Sequence, residues 1–285
     1  MVKAYSEEIV YTRSEDGYFL EGVAISPTGP TRDVAVVAVH GHTGTFYRPS
    51  LVLSGRALAE RGYACISGNN RGHDFGTVLS DQQGRNRLGG AAWEAFGESP
   101  MDLGAWLSYA EGLGYSQLAL MGRSLGALKV AYYQAKRQDP RVMALIAVSP
   151  PLRAGVTKLE IAERARSMVA EGRGQELMPW GTFRAGAGTL SAQTQAEHTD
   201  LNLDVYGDHT PNPLVASIRC PILATLGTEE TWVGTASDLE TIRRNATSAA
   251  RVDTRLFEGA DHNYVGHEAA LGTAIADWLD SLGAG

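Results

Sequence analysis

Apolar and polar positions exchange places at the start of the chain and then stop doing so. In EEIVYTRSEDGYFLEGVAIS the alternation runs on both sides of Glu15, Asp16 and Gly17, which predicts an antiparallel hairpin turned at the Asp-Gly step. Six short runs rich in Val, Ile, Leu and Ala follow: VAVVAVHG (34–41), YACISGN (63–69), LALMG (118–122), MALIAVS (143–149), ILATLG (222–227) and RVDTRLFEG (251–259). Most lack polar alternation, so they read as strands covered on both faces, as in a parallel sheet.

Segments of helical period lie between them. One places Leu51, Gly55 and Leu58 on one face and ends at Gly62, suited to the left-handed C-terminal position. Another opens Ser99-Pro100-Met101-Asp102, with a serine as N-cap, proline at the first helical position and an acid three residues past the cap. Its apolar face is Leu103, Trp106, Leu107 and Ala110. A third, near the C-terminus, aligns Leu271, Ile275, Trp278 and Leu279. Strand and helix thus alternate after one hairpin, the pattern of a doubly wound, mostly parallel α/β sheet with an antiparallel N-terminal edge.

One interval breaks the rhythm. From Leu152 to Arg219 no strand-like run occurs, yet Ile161, Ala165 and Met168 share a helical face and glycines and aromatics recur through MPWGTFRAGAG and LDVYGDHTPNP. So long a connection is usually functional. The expectation is a core built from residues 1–151 and 217–285, with residues 152–216 inserted as a cap over the sheet edge.

Composition narrows the partners. The 285 residues carry a formal charge of −7 with no block of Lys and Arg, which excludes nucleic acid and anionic membrane surfaces as partners, since both require a positive field. A small-molecule substrate is expected; a homo-oligomer is compatible with the sequence. The N-terminal stretch has no apolar segment of signal-peptide length, and no segment approaches the roughly 18 apolar residues of a membrane span, so a cytoplasmic location is expected. The two cysteines, Cys65 and Cys220, sit in or beside apolar runs and read as buried thiols. His40, His73 and Asp74 match no zinc spacing, and neither a metal nor another cofactor is expected.

The chemistry gathers at Gly122-Arg123-Ser124-Leu125-Gly126, directly after a buried strand and before a helix. Glycines on both sides let the chain turn sharply and hold the serine oxygen out at the carboxyl end of the sheet. A serine hydroxyl needs a histidine to take its proton and a carboxylate to orient that histidine. Of the seven histidines, His262 follows the last strand run and precedes the terminal helix, so it emerges at the same edge as Ser124; His267 lies beside or within that helix. The loop after ILATLG supplies two acids, Glu229 and Glu230. VHGHTGTF, after the first parallel run, brings Gly41 and Gly44 close to the same edge, where the His42 and Leu125 amides can serve as oxyanion donors.

With these motifs the chain resembles the α/β-hydrolase superfamily from about Val34 to the C-terminal helix, interrupted by the cap. The resemblance implies Ser124 as nucleophile, His262 as base and a carboxylate in the loop after ILATLG, where Glu230 stands three residues past Gly227. Two departures stand out. Members more often have Asp at the acid position, which keeps Glu229 in competition. Arg123 stands where many members have an uncharged residue or His, and its guanidinium is expected to pair with a cap or substrate carboxylate. The stretches AAWEAFGESPMDLGAWLSYAEGLGY and MGRSLGALKVAYYQ are also similar to a branch that includes siderophore esterases.

The resulting expectation is a cofactor-independent serine hydrolase acting on a carboxylic ester, lactone or related acyl bond through an acyl-enzyme. Arg123, Trp93, Trp180, Tyr206 and Trp232 are the candidate substrate contacts. Carbon–carbon bond hydrolysis or acyl transfer on the same triad, and a non-catalytic small-molecule receptor on the same scaffold, are the alternatives.

Overall fold

The run Val34–Val39 is apolar at every position because its alternate side chains enter two different cores. Val34, Val36 and Ala38 pack on one side of the sheet, Ala35, Val37 and Val39 on the other, and burial of both faces leaves no place for a polar residue. The computed structural model describes residues 4–153, 158–183 and 188–283. Residues 184–187 of the glycine-rich stretch, and 154–157 at the start of the interval, lie outside the described residues.

The strands are β1 (Tyr5–Arg13), β2 (Phe19–Pro27), β3 (Val34–Val39), β4 (Ala64–Gly68), β5 (Thr77–Ser80), β6 (Asn86–Gly89), β7 (Gln117–Arg123), β8 (Val142–Val148), β9 (Ile222–Gly227) and β10 (Val252–Phe257). The helices are α1 (Pro49–Glu60), α2 (Ser99–Gly112), α3 (Leu125–Arg137), α4 (Leu159–Ala170), α5 (Ala192–Asp200), α6 (Leu239–Asn245) and α7 (Glu268–Ser281). Eight strands form one sheet in the order β1-β2-β4-β3-β7-β8-β9-β10, and β5 and β6 pair apart. The β1–β2 and β2–β4 pairs are antiparallel and every pair from β4 to β10 is parallel. Loops after the parallel strands therefore leave from one edge. Helices α1 and α7 supply Leu51, Leu58, Leu271, Ile275 and Leu279 to one core. Helices α2, α3 and α6 supply Leu103, Trp106, Leu128 and Ile242 to the other.

The hairpin forms as expected, with Gly17 at φ 94° where a side chain would be strained. The start of α2 differs. A 3₁₀ turn at Phe96–Glu98 runs straight into the helix, and Ser99 already has helical dihedrals, so it is not an N-cap. Asp102 forms no capping box either: its carboxylate accepts from the Arg71 amide at 2.8 Å and from the Arg71 guanidinium at 2.8 Å. A guanidinium buried at this depth cannot be left unpaired, and that demand outweighs a helix cap. Short elements escaped the sequence pattern. Helix α6 has two buried apolar residues, Leu239 and Ile242, α5 is largely polar, and β5 and β6 are four residues each.

The interval between β8 and β9 carries α4 and α5, packed on each other through Ala165, Met168, Met178, Ala192 and Ala196. Ser191 caps α5, its Oγ accepting from the Thr194 amide at 3.2 Å. The interval is seated on the carboxyl edge of the sheet. The Ser191 amide donates to Ala92 O at 2.8 Å, Thr194 Oγ1 to Glu94 O at 3.1 Å, and Tyr206 Oη to Ala127 O, in the first turn of α3, at 2.8 Å. No helix among the described residues is long and apolar enough to cross a membrane.

Candidate active site

Ser124 sits between β7 and α3 at φ 53°, ψ −122°, a backbone conformation an L-residue adopts only under strain. The two flanking glycines make this turn sterically possible. A methyl group on Gly122 would lie 2.2 Å from Gly126 O, and one on Gly126 would lie 2.5 Å from Val39 O and 2.6 Å from His40 O. The chain thus doubles back on itself and tucks the helix start under the end of β3. Ser124 is held there by its amide, which donates to Val148 O at 2.9 Å, and its side chain faces the loop after β10.

His262 Nε2 stands 3.1 Å from Ser124 Oγ, and His262 Nδ1 stands 2.6 Å from Glu230 Oε2. An ionised carboxylate only accepts, so Nδ1 carries the proton and the Nε2 lone pair faces the serine hydroxyl. Glu230 Oε1 accepts from the Trp232 amide at 2.7 Å. Burial alone would raise the Glu230 carboxyl, but the His262 hydrogen bond and the Trp232 and Val233 amides together hold it below its ordinary value. Glu229 is exposed, its amide spent on Ala260 O at 3.0 Å. Between the two acids the structure therefore brings Glu230 to the histidine. Gly227 makes the approach possible: a methyl there would lie 2.0 Å from Ala260 O, so only glycine lets the His262 loop close over the end of β9. His267 stands at the N-terminus of α7, its Nδ1 3.2 Å from Val265 O.

The loop after β3 lies against the serine turn. A methyl on Gly41 would come within 2.9 Å of Arg123 O and of Ser124 Cβ, and 3.5 Å from the Leu125 amide nitrogen. Leu125 opens α3, so its N–H is one of the first-turn amides with no acceptor inside the helix. His42 follows Gly41, and its ring lies 4.7 Å from the Phe183 ring of the interval.

Arg123 lies under the histidine loop. It is buried, and its Nη2 donates to His262 O at 2.7 Å and to Asn263 Oδ1; burial, with the charge of Arg48, lowers its pKa. It holds the histidine loop, because the end of β7 points it beneath that loop. The aromatic set is not brought together. Tyr206 is 1% exposed and packs in the core. Trp93 donates its Nε1–H to Gln175 O at 2.9 Å and stacks edge-on against Phe75. Both rings are anchors between the interval and the core, where a large ring buries most area. Trp180 and Trp232 are 73% and 68% exposed, and Trp232 serves Glu230 through its backbone. His73 pairs with its neighbour Asp74 at 2.8 Å, and no cluster of three or more His, Cys, Asp or Glu that could hold a metal occurs among the described residues.

Two buried charges beside the site escaped sequence reading, and a histidine weighed only as a metal ligand belongs with them. Lys129 and Glu94 pair with each other in full burial, and His40 is buried under the loop after β3. The available signal was a charge inside an apolar string: Lys129 in GALKVAYY and Glu94 in AAWEAF. Burial, with the nearby Lys129 charge, pushes His40 down to about 3. Below its unfolded value of 6.5 the unfolded chain binds a proton that native His40 refuses. Stability on this account is present above pH 6.5 and lost as pH falls toward 3, by at most about 1.4 kcal/mol per pH unit. Urea unfolding at pH 7 and pH 5 should show this slope in wild type and a shallower one, by one proton, in His40→Asn; equal slopes would contradict it.

A serine on a strained turn, a buried acid and a histidine, met in that chain order at one sheet edge, is the arrangement of one class of α/β fold. The sequence profile of the alpha/beta hydrolase fold matches residues 34–205, and the chain belongs to that family. Among curated proteins none matches the sequence. Est1E from Butyrivibrio proteoclasticus, solved with ferulic acid bound, is 18% identical, with a TM-score of 0.68 over 95% of this chain and 98% of its own. DcsB in complex with its substrate analogue is 16% identical, with a TM-score of 0.70 over 97% and 99%. The Pyrococcus furiosus esterase Pf2001 is 16% identical, with a TM-score of 0.62 over 97% and 93%. At such identities the likeness is one of fold.

Proposed function

We propose that the protein is a serine hydrolase that cleaves a carboxylic ester, lactone or related acyl bond of a small molecule through an acyl-enzyme. The observation that carries this reading is the continuous chain Ser124 Oγ, His262 Nε2, His262 Nδ1, Glu230 Oε2, with links of 3.1 and 2.6 Å. In it His262 takes the Ser124 proton as Oγ attacks the carbonyl carbon, and Glu230 stabilises the imidazolium that forms. The Leu125 and His42 amides hold the oxyanion. His262 then returns the proton to the leaving oxygen, and water, deprotonated by the same ring, releases the acid. Residues 152–216 act as a cap that shapes the acyl or alcohol pocket, an assignment supported by their seat on the loop at 92–94 and on α3. The esterases of the same fold, Est1E and Pf2001, favour ester over amide substrates for this chain.

Labelling by a fluorophosphonate, with hydrolysis of aryl esters of increasing acyl length, is the test. Wild type should be labelled at one site and His262→Ala labelled at least about 10²-fold more slowly. Absence of labelling and turnover in folded wild type would remove the hydrolase reading.

A further inference from the structure

Lys129 and Glu94 are each about 99% buried, and a buried ion pair is a poor way to gain stability, since an apolar pair of similar volume generally does as well or better. Their contacts lead to the loop after β3. Lys129 Nζ donates to Glu94 Oε2 at 2.5 Å and to Asn70 Oδ1 at 2.8 Å. Asn70 Oδ1 also accepts from the Gly72 amide at 3.0 Å, and a methyl on Gly72 would lie 1.8 Å from Glu94 Oε2, so the 70–72 backbone is pressed onto the pair. From Asn70 the path continues through its own amide, which donates to His40 Nε2 at 3.1 Å.

That bond decides the tautomer of His40. An amide N–H only donates, so Nε2 is the bare nitrogen and Nδ1 carries the proton, which it donates to Gly41 O at 2.9 Å. The Gly44 amide grips the same carbonyl at 3.0 Å. Gly41 O and the His42 N–H belong to one peptide plane, and the chain has no cis peptide among its described residues. In a trans peptide the two point in opposite directions. Clamping the carbonyl therefore aims the amide.

We infer that the buried Lys129–Glu94 pair is a positioning device for the oxyanion loop, acting through Asn70 and His40 to aim the His42 amide at the carbonyl oxygen under attack. The inference rests on the hydrolase reading. Lys129 stands on α3, five residues past Ser124, the helix whose first amide is the other proposed donor. One ion pair thus keys the supports of both donors to each other.

The test is the neutral double variant Lys129→Met/Glu94→Gln, which removes both charges and leaves no lone buried ion. Asn70→Ala, which cuts the link but keeps the pair, is read in the same way if the double variant does not fold. With kcat counted per fluorophosphonate-titrated site, the expected result is a kcat lowered by about 10–100-fold with KM within about 3-fold. Affinity for an aryl boronic acid, whose tetrahedral adduct uses the oxyanion donors, should fall by a similar factor. His40→Asn, which keeps a donor for Gly41 O, should retain far more activity than His40→Leu. A lower thermal midpoint with unchanged kcat per site would make the pair merely structural and overturn the inference. Wild type that is neither labelled nor active would overturn the hydrolase reading instead. The positioning claim is then read from the His42 amide resonance: it should move in the double variant, and an unmoved resonance overturns it.

Discussion

Ser124→Ala should lower kcat/KM for an aryl ester by about 10⁴–10⁶-fold with the folded state intact. On the proposed mechanism the loss is that large because the hydroxyl, the imidazole and the carboxylate act as one unit: without Oγ no acyl-enzyme forms, and only binding and the oxyanion donors remain. A second substitution at the same position separates chemistry from strain. Ser124 holds φ 53°, ψ −122°, which costs an L-residue about 1–3 kcal/mol. Alanine keeps the Cβ and the strain; glycine relieves it, less about 0.5–1 kcal/mol for its greater freedom in the unfolded chain. Ser124→Gly should therefore be as inactive as alanine yet more stable than wild type by about 1 kcal/mol, a rise of about 2–4 °C in Tm. Aryl-ester kinetics and thermal melting followed by circular dichroism check both halves. An alanine variant that keeps more than about 1% of the activity removes Ser124 as nucleophile.

The second large effect distinguishes the two neighbouring acids. Glu230→Gln should reduce kcat by about 10⁴-fold, whereas Glu229→Gln should stay within about 3-fold of wild type. The asymmetry follows from what each oxygen of Glu230 already does. Oε1 accepts from the Trp232 amide at 2.7 Å and Oε2 meets His262 Nδ1 at 2.6 Å. In a glutamine the carbonyl oxygen must stay with the Trp232 amide, because only it can accept. The NH₂ group then faces Nδ1, forces that nitrogen to be the acceptor and puts the ring proton on Nε2, where Ser124 needs a base. Glu229 is exposed and His262 Nδ1 is met by Glu230, so the loss of Glu229 leaves the tautomer alone. Equal losses in the two variants, or a larger one at Glu229, would reverse the assignment.

Family membership and site order were legible because they depend on local pattern. Period-two and unbroken apolar runs identified the hairpin and every strand of the large sheet, and Gly122, Ser124 and Gly126 marked the turn: a side chain on Gly122 would strike the turn's own Gly126 O, and one on Gly126 the end of β3. The misreadings have one cause. Ser99 and Asp102 carry the local signature of a helix cap, but Arg71, 28 residues before Ser99 in the chain, needed the carboxylate more. Tyr206 has a side chain suited to a pocket, and the fold buries it in the core as an anchor.

What the sequence determined by itself was the order of strands and helices, the strained serine turn and the histidine and acid that follow it, because turn sterics and hydrophobic period act over a few residues. The resemblance pointed to Glu230 and left Glu229 in competition; the tertiary structure is what brings Glu230 to His262, since adjacent acids in one loop differ only in which faces inward. It alone decided that Lys129, Glu94, Asn70 and His40 join beneath the loop after β3. Buried charges and their partners are chosen by desolvation, which forces each to find whichever group the packed core brings within reach, and in this chain those groups lie 24 to 59 residues apart, from Asn70 to Glu94 and from Asn70 to Lys129.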